Sequence, residues 1–290
     1  MSDTLTVALL SEVFFDDSAE SRLRDRLVES KERGADLALI PEIGCNPWSP
    51  ATKASLASDA EPIGGPRHQM QQRLAREVGI GLIGAAIVVN EQGSRRNRAL
   101  VFDAQGEQLG WYEKLHVPDE PGFWERDHYD PGTYFPRRID GFPMPIGVQI
   151  CSDINRPGGC HILGAQGVEA ILAPRATELA TWRRWRPVFI ANAISSCAYV
   201  LSVNRPAPEQ GVLLGGPTVA VAPDGEVLVE TTEPLAVVTL ERAAIERARR
   251  EYPGYLPVRA ELYVEGWKWA SERMRESPAP GVRANGRVEA

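Results

Sequence analysis

Three side chains able to act together on a carbonyl, a thiol, a carboxylate and an ammonium, each fall where an apolar run of this sequence stops. Cys151 follows the run from Met144 to Ile150 and opens Cys151-Ser-Asp-Ile-Asn-Arg-Pro-Gly-Gly159, where a buried strand would spill into a turn. Glu42 ends the run that starts at Ala35 and is followed by the turn-rich stretch from Gly44 to Pro50. Lys114 closes the stretch from Glu107 and precedes Leu115-His-Val-Pro118. A thiol at a strand tip is held by a rigid scaffold, and N–H groups at the start of the next helix point toward any charge formed there. In sheet-based α/β proteins the carboxyl ends of strands are where ligands bind. Each residue alone reads as an ordinary packing cysteine or strand-end charge; the chemistry lies in the three together.

The elements that must position them are short apolar runs alternating with amphipathic segments. Strands are expected at residues 5–10, 36–40, 81–89, 98–103, 107–113, 146–150, 169–173, 199–203, 217–222, 226–230 and 235–239. Helices are expected at 18–33, 67–79, 159–166, 182–196 and 241–250. Asp103-Ala-Gln-Gly106 and Pro223-Asp-Gly225 separate paired runs in the manner of hairpin turns. Hairpins mixed with crossovers do not suit a purely parallel sheet. Runs that are apolar throughout, such as Leu82 to Val89, need cover on both faces. Two mixed β-sheets packed on each other with helices outside, a four-layer αββα sandwich, meet both requirements.

The 290 residues, 43% hydrophobic, can fill one sizeable core, and a single domain is expected over 1–276. The remainder, 277–290, carries Pro and Gly without periodicity and is expected to be mobile or wrapped on a partner subunit. A net charge of −7 gives no electrostatic reason to approach nucleic acid or an anionic membrane. No apolar stretch nears the ~20 residues needed to cross a bilayer. The first ten residues lack a basic start and a small-residue cleavage site, so a cytoplasmic location is expected. Cys45, Cys151, Cys160 and Cys197 are sparse and irregularly spaced, indicating neither a disulfide framework nor a zinc ribbon. No metal-ligand spacing or phosphate-cradling glycine loop is present; no metal or cofactor is expected.

Ile40-Pro-Glu-Ile43, Glu113-Lys-Leu-His116 and Gln149-Ile-Cys-Ser-Asp153 resemble, in order and separation, the three catalytic motifs of the nitrilase superfamily of carbon–nitrogen hydrolases. The similarity runs to roughly residue 265. It includes the stretches from Trp124 to Gly132, Ala170 to Thr177 and Gly215 to Gly225. The resemblance implies the αββα sandwich, a catalytic triad of Glu42, Lys114 and Cys151, hydrolysis without metal or organic cofactor, and assembly as a homodimer or higher homo-oligomer. Glu125 matches the second glutamate of many amidase branches, with Glu120 the competing position. Lys114 to Glu125 is similar to the corresponding stretch of N-carbamoylputrescine amidases and ω-amidase-like proteins. After Cys151, where that branch usually carries an aromatic residue and then Pro-Glu, this chain reads Ser152-Asp-Ile-Asn-Arg-Pro-Gly158, so the likeness does not extend to the substrate.

The residue chemistry then gives a thiol hydrolase. Glu42 takes the Cys151 proton, Cys151 attacks an amide or N-carbamoyl carbonyl, and Lys114 with the backbone N–H of Ser152 stabilises the oxyanion. A thioester forms, ammonia leaves, and water completes the hydrolysis. A nitrilase hydrolysing a C≡N bond with the same triad is the alternative, and an inert binding protein on the same scaffold a third. Trp48 and Trp124 are candidate apolar pocket walls, and Arg156 or Arg175 could clamp a substrate carboxylate. His116 and His128 are expected to be structural.

Overall fold

A computed structural model describes residues 3–276 of the chain. Its strands are β1 (Thr4–Leu10), β2 (Leu37–Leu39), β3 (Glu61–Pro62), β4 (Gly81–Val89), β5 (Arg95–Phe102), β6 (Gln108–Glu113), β7 (Ile146–Val148), β8 (Ala170–Arg175), β9 (Tyr199–Asn204), β10 (Thr218–Val221), β11 (Val227–Thr231) and β12 (Leu235–Glu241). The α-helices are α1 (Ala19–Glu32), α2 (Pro66–Val78), α3 (Gly158–Ala165), α4 (Trp182–Ser196), α5 (Arg242–Arg250) and α6 (Ala260–Glu276).

One sheet runs β12-β1-β2-β4-β5-β6, with β3 paired to β4; the other runs β11-β10-β9-β8-β7. Both are mixed. β1, β2 and β4 are parallel neighbours while β5 and β6 return antiparallel, and β7, β8 and β9 are parallel while β10 and β11 return antiparallel. The two hairpins close at the expected turns, between β5 and β6 and between β10 and β11.

Period-2 alternation sorts the strand residues into layers. Leu5, Val7 and Leu9 of β1 share one core with Val148 of β7, Leu172 of β8 and Leu201 of β9, which is the seam between the sheets. Ala8 and Leu10 face the other way, onto Leu23 and Leu27 of α1 and Leu74 of α2. On the far side Ile171 and Ala173 of β8 pack with Leu163 of α3 and Phe189 of α4. Helix, sheet, sheet, helix is the expected sandwich.

Two elements exceed the sequence expectation. β3 is two residues long and contains proline, too little to show a period. α6 carries Tyr263, Trp267, Ala270 and Met274 at helical spacing. Contacts divide the chain after Gly254, with α6 in the second unit; the sequence boundary was placed at 276. The tail 277–290 lies outside the described residues. Among the described residues no helix is long and apolar enough to cross a membrane.

Candidate active site

β2 ends at Leu39, and the chain continues in line through Ile40, whose N–H donates to Ile83 O at 3.2 Å. Two residues on, Glu42 is buried at the mouth of the seven-stranded sheet. Its Oε1 accepts from Lys114 Nζ at 2.7 Å and from Asn97 Nδ2 at 2.8 Å. Its Oε2 is also buried and receives no hydrogen bond from the described residues. The carboxylate is thus held by one oxygen, with the other free to take a proton.

Lys114 follows β6, and its N–H donates to Asn97 O at 3.0 Å. The side chain is completely buried and donates to Glu125 Oε2 at 2.5 Å as well as to Glu42. An ammonium has three N–H donors; two are spent here and one remains. Tyr129 OH also donates to Glu125 Oε2 and accepts from Asn97 Nδ2 at 3.2 Å, closing a ring of four side chains around the lysine. Glu125 Oε1, like Glu42 Oε2, is buried without a hydrogen bond from the described residues.

Cys151 opens a short 3-10 turn, Cys151–Asn155, after Gln149 and Ile150 have carried the chain on from β7. Its φ of 47° is left-handed, a conformation rare outside glycine, that swings the chain sharply out of the strand direction. The sulfur lies 3.6 Å from Ala176 O. Burial, then the charges of Glu42 and Glu125, raise the Cys151 pKa well above the usual thiol value, while Lys114 opposes them, so the resting side chain is the thiol. For Lys114 burial disfavours the charge, but Glu125 and Glu42 more than offset it and keep the ammonium. Burial, helped by Glu42, lifts Glu125 to about 7 against the pull of Lys114 and Tyr129. Burial also lifts Cys45 and Cys160 to about 12. What sets Cys151 apart is its company.

The remaining candidates distribute unevenly. Glu120 is exposed, whereas Glu125 is completely buried on the lysine. Trp48 is fully buried, donates from Nε1 to Gly122 O at 2.9 Å and packs edge-on against Phe123, which makes it a wedge under the loops rather than an open wall. Trp124 is partly buried with the Lys53 ammonium 4.0 Å over its ring. Ser152 Oγ donates to His116 O, and its main chain forms the first step beyond the thiol. Arg156 is exposed in the turn that leads into α3.

Arg175 is completely buried, and its guanidinium is engaged by protein groups. Alternation along β8 puts it with Ala173 on the face turned to α4, its guanidinium 5.3 Å from the Trp182 ring centroid and 5.4 Å from that of Phe189. There Nε donates to Thr177 Oγ1 at 3.3 Å, Nη1 to Ser202 Oγ at 3.1 Å and Nη2 to Pro217 O. His128 hydrogen-bonds through Nε2 with Thr52 O at 2.7 Å, and His116 through Nδ1 with Asp153 Oδ1 at 2.7 Å.

Sequence reasoning missed Asn97, Tyr129 and Arg205. Asn97 is a buried amide between Arg96 and Arg98 in the polar first half of β5, and Tyr129 stands four residues after Glu125. Arg205, fully buried, donates to Glu42 O at 3.0 Å, Ile43 O at 3.2 Å and Asn46 O at 2.9 Å, and its Nε and Nη2 fork onto Glu209. That grip holds Ile43 at a φ of 40°, which a β-branched residue does not adopt unaided. No cluster of three or more potential metal ligands occurs among the described residues.

Residues 13–250 match the family model described as carbon–nitrogen hydrolase. The chain belongs to the carbon–nitrogen hydrolase family. As a carbon–nitrogen hydrolase it acts on C–N bonds other than peptide bonds. It is 27% identical over 281 residues to an N-carbamoylputrescine amidase of Solanum tuberosum, covering 89% of this chain and 93% of that protein. It is 27% identical over 244 residues to the omega-amidase NIT2 of Bos taurus, covering 81% and 87%. Among solved structures, a carbon–nitrogen hydrolase from Helicobacter pylori G27 superposes with a TM-score of 0.82 at 19% identity, covering 91% of this hydrolase and 98% of that chain. Saccharomyces cerevisiae Nit3, a nitrilase-superfamily member, gives 0.75 at 22%, covering 89% and 97%. Both share its fold.

Proposed function

We propose that this hydrolase cleaves the C–N bond of a small amide or N-carbamoyl compound through a thioester on Cys151. The observation that carries the proposal is the buried ammonium shared by two carboxyl groups whose charges act on the Cys151 thiol, with Glu42 Oε2 unengaged. Glu42 accepts the proton as Cys151 Sγ attacks the carbonyl carbon. The π electrons move onto oxygen, where the third Lys114 N–H and the Ser152 backbone N–H meet the charge. Collapse restores the carbonyl and breaks the C–N bond while Glu42 returns the proton to nitrogen. Ammonia or an amine departs. Water then loses a proton to Glu42 and attacks the thioester; collapse expels sulfur, which recovers that proton, and an acid is released. The sum consumes one water.

Glu125, with Oε1 open, orients the substrate nitrogen and steadies Lys114. The similarity to an N-carbamoylputrescine amidase and an omega-amidase supports an amide or ureide head group. Assembly as a homodimer or larger homo-oligomer belongs to this proposal on the strength of the resemblance, and residence in the cytoplasm on the sequence reading.

Ammonia release over a panel of amides, ureides and nitriles tests it. Turnover of amides or ureides is expected; turnover confined to nitriles would replace it with a nitrilase. Cys151→Ala should abolish turnover while the fold persists, and iodoacetamide should label Cys151 ahead of the other three cysteines. Equal slow labelling of all four would favour an inert scaffold.

A further inference from the structure

The ammonium and the thiol are carried by two strands that no β-ladder joins. β6 is the last strand of the seven-stranded sheet and β7 the last of the five-stranded one. Packing between sheets is non-directional and tolerates sliding, so it does not by itself fix two reacting groups to a fraction of an ångström. Something more directional must cross the seam beside the site.

Asp153 does so. It sits two residues beyond Cys151, in the same 3-10 turn, and is completely buried. Every donor it takes comes from the strand end that carries Lys114. Leu115 N donates at 3.2 and 3.3 Å to its two oxygens, and His116 N at 2.8 Å to Oδ1. His116 Nδ1 reaches Oδ1 at 2.7 Å, and Tyr112 OH donates to Oδ2 at 2.9 Å. Leu115 and His116 are the two residues directly after the lysine. Ser152 Oγ adds a parallel tie to His116 O. A buried carboxylate that accepts backbone N–H groups is a short, charge-assisted anchor.

We propose that Asp153 is a positioning residue: a clamp across the seam between the sheets that sets the spacing of Lys114 Nζ from Cys151 Sγ. The inference rests on the proposed triad, and it assigns Asp153 no contact with substrate. Asp153→Asn keeps the shape and loses the charge, turning one acceptor into a donor that opposes the donors already there.

The expected result is a cooperative melt with kcat down about 10²-fold, the cost of displacing a catalytic group by about 1 Å, at unchanged KM. The pH midpoint of Cys151 alkylation should also move up, because Lys114 is what pulls it down. A folded Asp153→Asn with wild-type kcat overturns the clamp. So does a loss of rate that merely tracks loss of folded protein with the alkylation midpoint unmoved. If Asp153→Asn fails to fold, the double variant Tyr112→Phe, His116→Ala, which removes two side-chain donors and keeps the carboxylate, must show the same two changes at smaller size. Their absence overturns the proposal equally. Cys151→Ala that still turns over substrate sinks the triad instead; an inactive Cys151→Ala beside a fully active Asp153→Asn sinks the clamp alone.

Discussion

Glu125 holds its proton more tightly folded than unfolded, and that has a sign. Its pKa rises from 4.5 to about 7 on burial. Below about pH 4.5 both states are protonated; between there and about pH 7 the folded protein keeps a proton that the unfolded chain has released. Stability drawn from this group therefore falls as pH rises through that window and stays low above it. Glu125→Gln should gain in stability relative to wild type from about pH 5 to about pH 8, read from urea midpoints at each pH, while its kcat falls at every pH. Glu42, Lys114 and Cys151 were legible because each type stands out at the end of an apolar run. Asn97 and Tyr129 were not, since an amide in a strand and a tyrosine in a loop look ordinary until the fold closes them on the lysine. The orientation of Arg175 was not legible, since chain position places it at the active edge while strand alternation sets it with Ile171 and Ala173 toward α4.

At the scale of elements, one side chain substitutes for missing ladder. β4 pairs with β2 at Gly81 to Ile83 and with β3 at Val88 and Val89, which leaves a gap between them on that edge. Gln71 of α2 fills it, accepting from Ala85 N at 2.8 Å and donating to Ala85 O at 3.1 Å. Gly84 makes room, since a Cβ there would stand 1.8 Å from Gln71 Oε1. Gly84→Ala should expel the amide and cost about 2 to 4 kcal/mol from overpacking and an orphaned backbone pair, seen as a lower urea midpoint with kcat unchanged well below it. On the same scale, Arg205→Ala strands Glu209 and three carbonyls behind Glu42, and should cost about 3 to 5 kcal/mol by denaturant unfolding. The long strands and α1, α2 and α4 were legible from period and flanking residues. β3 was too short to show one, and α6 lay beyond the last strand, where no sheet called for a helix.

Across the whole molecule, burial is uneven. β4, β8 and β9 are covered on both faces, while α6 exposes Tyr263, Val264, Trp267, Trp269 and Met274. Amide exchange followed by mass spectrometry should be slowest in those three strands and fast over Ala260–Glu276; slow exchange there that fades on dilution would reveal a second copy covering the helix. The four-layer architecture was readable because apolar runs needed cover on both faces, whereas the pairing of β6 and β7 as the two sheet margins depends on strand order, which periodicity does not encode. One last point follows from the ammonium held between Glu42 and Glu125. Above about pH 7 Glu125 has released its proton and adds a negative charge to this low-dielectric nest, within a chain that is itself anionic at −7. In the proposed amide hydrolysis a neutral head group enters without repulsion and becomes a carboxylate on the spot, so the reaction would generate the force that ejects its own product.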